Sequence, residues 1–135
     1  MNKTVALGLL VLRVGLGVMM MVHGYGKVMG GPELWAGLGG AMGNLGITFA
    51  PTFWGAAAAF SEFGGGFLLI IGLLTRPAAA SLAFTMLVAT VMHLANGDGI
   101  KGSSHSIEDG IAFLALILTG AGSYSLDALI FKKKA

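Results

Sequence analysis

Residues 11–28 read VLRVGLGVMMMVHGYGKV. Almost all of this stretch is apolar, yet it carries Arg13, His23 and Lys27. About 20 apolar residues suffice to cross a bilayer, and the run from Val5 to His23 is long enough. Composition points the same way. Only 10% of the 135 residues are charged and 56% are hydrophobic, whereas a soluble domain carries about 25% charged residues. Glycine supplies 23 residues, an excess suited to close helix packing in lipid. The chain has no cysteine, which excludes disulfides, thiol redox chemistry and thiolate metal sites. A formal charge of +2 is too small to argue for nucleic acid as a partner.

The whole chain, 1–135, reads as one all-α domain: a four-helix transmembrane bundle. Its spans are expected at about 5–23, 51–74, 77–95 and 106–122. The first is read as a retained span. Its n-region is weak, Arg13 sits inside the run, and no small-residue cleavage site precedes His23. Between spans one and two, Pro32 and Glu33 suit a helical first turn, and Leu34, Trp35, Leu38 and Met42 recur at helical spacing. A short helix at about 32–43, lying at the outer interface with Trp35 as anchor, is expected. Residues 124–131, YSLDALIF, suggest a similar short piece on the other side. Four spans place Lys3, Arg76 and Lys132–Lys134 on one side, and Lys27 and Lys101 on the other. The excess favours cytoplasmic termini.

Charges at depth need partners, since each isolated one costs about 2.5–3.5 kcal/mol at mid-bilayer on insertion scales. Arg13 and Glu62 both fall near the middle of their spans, so they are expected to pair, with Gly55, Ala58, Ala59, Gly65 and Gly66 admitting the neighbouring backbone. That pair either locks helix register or lines a polar pocket. A second cluster is expected near the outer surface: His23 and Lys27 from span one, His93 from span three, and His105, Glu108 and Asp109 from span four. Three chemistries could use it. Histidines and carboxylates bind metals, but no HExxH spacing is present. Two histidines from different helices could hold a haem iron. Histidine and lysine could also hydrogen-bond quinone oxygens in an apolar pocket. The bland alternative is that these side chains are solvated or snorkelling. Met19–Met21 reads as packing filler, and GYGK lacks the spacing of a phosphate loop.

The order LRVGLGVMMMVHGYGKVMGG, EFGGGFLLIIGLLTRPAA, GDG and GAGSYSLD resembles the DoxX family of small bacterial membrane proteins. The resemblance spans nearly the whole chain. It includes Arg13, His23, Gly24 and Lys27, then Glu62, Gly65, Gly66, Gly72, Thr75 and Arg76, and ends with Gly120, Gly122, Ser125, Leu126 and Asp127. It implies a four-helix membrane bundle related to membrane subunits of oxidoreductases, thiosulfate:quinone oxidoreductase among them. On that basis Glu62 and Glu108 are expected to handle protons. Arg13, His23, Lys27, His93 and Asp109 are expected to contact a ligand, with quinone as the cofactor and haem or a metal as alternatives. Electrons would come from a partner oxidoreductase subunit or a soluble reductant, because no flavin or nicotinamide motif is present. The competing reading is a non-catalytic scaffold or small-molecule carrier, whose glycine-rich faces would serve a homo-oligomer in the lipid bilayer.

Overall fold

Helix α1 (Lys3–Gly39) starts where the Asn2 side chain accepts hydrogen bonds from Thr4 N at 2.6 Å and Val5 N at 3.4 Å, the capping role for which asparagine is suited. The structure is a computed structural model that describes residues 1–131; the Lys132–Lys134 tail, part of the orientation argument, lies outside the described residues. Unbroken, α1 would reach roughly 55 Å at 1.5 Å per residue, far beyond a bilayer core of about 30 Å. It does not run straight. Gly31 adopts φ 81° and ψ −177°, and Pro32 follows without an N–H. The indole Nε1 of Trp35 reaches back across this break and donates to the Lys27 carbonyl at 2.8 Å. After Gly39 the chain tightens into a 3₁₀ turn over Gly40–Leu45. In place of a separate short helix at about 32–43, residues 32–39 continue α1 beyond a hinge and residues 40–45 form the 3₁₀ turn.

Helix α2 (Pro51–Ile71) opens on a proline at its first position and ends on Gly72 in the left-handed region (φ 69°). Helix α3 (Thr75–Ala95) follows directly. Its first amides are held by a residue distant in sequence: Leu74 N donates to Asp127 Oδ1 at 2.8 Å, and Thr75 N to Oδ2 at 3.0 Å. Asp127 N in turn donates to the Gly72 carbonyl at 2.8 Å, so the start of α5 (Leu126–Phe131) is sewn onto the α2–α3 corner.

Helix α4 (Gly99–Thr119) begins well before the expected Ser106. The stretch left between the expected spans three and four, 96–105, is mostly helix, because Asn96–Asp98 with Gly97 at φ 81° suffice for the turn. Helices α1, α2 and α3 are long and apolar enough to cross a membrane. Helix α4 matches α2 and α3 in length, but Lys101, Glu108 and Asp109 make its first half polar.

Helix α2 packs most extensively on α1, and α3 on α4; the contact between α2 and α3 is sparser. The core joins Met20 and Leu69 to Leu82, Met86, Phe113 and Leu116. The α1–α2 contact is backbone to backbone. A Cβ on Gly17 would strike the Gly66 carbonyl, one on Gly24 the backbone of Phe63, one on Gly39 the Pro51 carbonyl, and one on Gly55 the Trp35 carbonyl. Such approaches are how small residues drive helix association in lipid.

Gly24→Val should therefore destabilise the protein by about 1–3 kcal/mol or more, the range for forced overpacking. Gly26→Ala, two residues away but facing open space, should be neutral or slightly stabilising. Reversible unfolding in mixed micelles checks both; equal effects would contradict the glycine contact.

Candidate functional site

Glu62 lies inside α2 with 1% of its surface exposed. Because Gly24 has no side chain, α1 passes directly against Phe63, and Lys27 follows one turn later. Helical side chains lean toward their own N-terminus, so Lys27 slants back into the bundle. Its Nζ meets Glu62 Oε2 at 2.7 Å. The other carboxylate oxygen, Oε1, is buried without a hydrogen-bond partner. A buried carboxylate with half its acceptor capacity unmet is costly, and such groups concentrate at functional positions.

This pair sits at the edge of a cavity of about 210 Å³ between α2 and α3, where those helices pack sparsely. The segment beyond the Gly31 hinge roofs it with Leu38 and Met42, and Trp54, Phe84 and Met92 supply apolar walls. Trp54 Nε1 is a second buried polar atom without a partner. Hydroxyls of Ser61 and Ser81 hydrogen-bond each other across the gap, and Thr85 Oγ1 donates to the Ser81 carbonyl at 3.0 Å. The exposed rim includes Ala57, Ser81 and Phe84, all within two of the helices apolar enough to span a membrane.

The expected Arg13–Glu62 pair is not formed. Arg13 is fully buried, and its guanidinium donates to carbonyls: Nη1 to Leu69 O at 2.9 Å and Ile70 O at 3.4 Å, and Nη2 to Tyr124 O. Its Nε has no partner. Two facts explain the difference. The first helix continues well past His23, so Arg13 lies in its first half and not at its middle. Its side chain also leans toward the N-terminus, which brings it to the last turn of α2, where helical donors run out and Leu69 O has only the Gly72 N–H at 3.2 Å from the main chain. A cation there also complements the negative end of the helix dipole. Gly72 leaves room for the arrangement, since a Cβ there would collide with Arg13 Nη1.

The expected outer cluster divides in two. The His23 and His105 rings meet edge to face at 5.4 Å between centroids, and His105 Nε2 lies 3.2 Å from Asp109 Oδ2 one turn on. His93 turns away and pairs through Nδ1 with Asp98 Oδ2 at 2.8 Å. Glu108 is exposed on α4 without an ion-pair partner among the described residues. No three His, Cys, Asp or Glu side chains converge as a metal-binding group among the described residues. Lys27 leaves the outer set to join Glu62. Sequence reasoning missed Trp54, Ser61, Ser81, Thr85 and Asp127 as partners in these sites. The available signal was Ser81 and Thr85, hydroxyls one turn apart in a largely apolar span.

A double-mutant cycle should couple Lys27→Ala with Glu62→Ala by about 1 kcal/mol or more, while Arg13→Ala and Glu62→Ala should add within about 0.5 kcal/mol. Stability of the four variants in micelles measures both; coupling in the second cycle would restore the rejected pair.

The DoxX family model matches residues 8–95. The chain is 34% identical to the inner membrane protein YqjF of Escherichia coli (strain K12), over 98% of this chain and 99% of that protein. It is 29% identical to a Bacillus subtilis (strain 168) protein named "Putative oxidoreductase CatD", over 99% of this chain and 95% of that one. An uncharacterised protein of Haemophilus influenzae is 30% identical over 90% of each chain. No solved structure matches with comparable significance.

Proposed function

The chain belongs to the DoxX family of membrane proteins, and from that premise we propose that it is a quinone-interacting component of a membrane oxidoreductase system. The observation that carries this reading is the Lys27–Glu62 pair at the wall of an apolar cavity between two membrane helices. Small-molecule sites are typically apolar clefts with a few placed polar groups, and a cavity of 210 Å³ suits one substituted ring rather than a dinucleotide or a haem. The lipid-level rim suits a ligand that arrives through the bilayer. The name of the Bacillus subtilis relative, an oxidoreductase, is consistent with this class.

In this reading Lys27 uses one N–H on Glu62 and offers another to a ring oxygen. Glu62, rather than the exposed Glu108, relays protons to the ring: paired with Lys27 it is an ionised carboxylate while the ring binds, and it takes up a proton only in transit, since reducing a quinone to a quinol takes up two protons with two electrons. The electrons come from a partner oxidoreductase subunit or a soluble reductant. Helix α4 completes a fourth span, the segment after Gly31 lies at the outer interface, and both termini face the cytoplasm of a bacterial cell. The His23–His105–Asp109 and His93–Asp98 sets lie outside the cavity lining and take no part in holding the ring.

Purified protein in nanodiscs, titrated with a short-chain ubiquinone or menaquinone analogue and read by tryptophan fluorescence, should show saturable binding. Lys27→Ala should weaken it about tenfold or more, the value of a charge-assisted hydrogen bond. His23→Ala should leave it unchanged. Absent saturation, or binding indifferent to Lys27→Ala, refutes the reading.

A further inference from the structure

Resting on the reading that the cavity takes a redox-active aromatic ring, we infer that it holds that ring preferentially in its reduced, dihydroxy form, and that Glu62 Oε1 is the group that selects it. The argument is one of donors and acceptors. An ionised carboxylate only accepts hydrogen bonds. Glu62 Oε2 is already engaged by Lys27 at 2.7 Å, while Oε1 is buried and has no donor. The terminal torsion of a glutamate is soft, so a small turn of the carboxyl group directs Oε1 at the cavity that Glu62 lines. A ring dione brings only acceptor oxygens to that atom, and acceptor facing acceptor leaves both unsatisfied. A ring hydroxyl brings the missing donor.

The other polar groups at the cavity do not offset this preference. Lys27 Nζ is a donor with N–H groups to spare, and it serves a carbonyl or a hydroxyl oxygen alike. The hydroxyls of Ser61, Ser81 and Thr85 both donate and accept. Trp54 Nε1 donates only and lacks a partner, so it also accommodates either oxygen. Glu62 Oε1 is thus the one unpartnered pure acceptor among the buried side-chain atoms at the cavity, among the described residues. A dihydroxy ring satisfies it and still offers its second oxygen to a donor. Discrimination between redox forms follows from this atom alone, without any change in the shape of the walls.

Anaerobic titration of the native protein with the dione and dihydroxy forms of one short-chain analogue tests this directly. The dihydroxy form should bind at least about tenfold tighter, which raises the reduction potential of the bound couple by about 30 mV for two electrons. Glu62→Gln, whose amide can turn an N–H toward the ligand, should bring the two affinities within about threefold. Glu62→Asp, which keeps the carboxylate, should retain a preference for the reduced form. Equal or tighter binding of the dione by the native protein overturns this inference and leaves the functional reading standing. The native comparison needs no variant, so a fold defect in Glu62→Gln would not rescue the idea. Saturable binding of neither form overturns both.

Discussion

The contact between the α1 and α2 backbones governs the rest of the molecule. Four glycines, Gly17, Gly24, Gly39 and Gly55, place bare backbone against backbone. In lipid the hydrophobic effect does not press helices together, so packing and hydrogen bonds must hold them. Once two helices touch at this range, their register is fixed and their long side chains have few places to go. Lys27 falls opposite Glu62, and Arg13 falls opposite the end of α2. The two contacts solve different problems. At Glu62 a charge meets a charge. At Arg13 a charge meets carbonyls of a helix terminus and of the Tyr124 turn, with no carboxylate within ion-pairing reach among the described residues. Truncating Arg13 would therefore take a shared donor away from carbonyl groups at a corner where three segments join.

Much of this was legible in the chain. Apolar runs punctuated by glycine and proline marked the long helices to within a few residues for α2 and α3. The cost of charge in lipid correctly implied that Glu62 needs a cationic partner. The identity of that partner was not legible, for two physical reasons. The end of the first helix is set by a hinge at Gly31 rather than by a loss of hydrophobicity near His23. Depth read from the Cα position also ignores the slant of long side chains, which moves a lysine or arginine head about a turn toward the helix start. Both errors shift the cation by the same sense, and together they exchange Arg13 for Lys27.

The outer histidines show another limit. His23 meets His105 while His93 pairs with Asp98, because similar depth along a bundle does not fix position around it. His93 faces the short turn after α3, and His23 faces α4. The cavity was invisible for a related reason: it exists because α2 and α3 pack loosely, a property of two faces rather than of any motif.

The Trp35 indole ties the two halves of α1 together through the Lys27 carbonyl. The same short piece of chain that carries Trp35 also carries Leu38 and Met42 in the cavity roof. Roof and ammonium group are therefore linked through one strut. A guest bulky enough to lift the roof pulls on the backbone that aims Lys27 at Glu62, so cavity filling and ion-pair geometry are mechanically coupled.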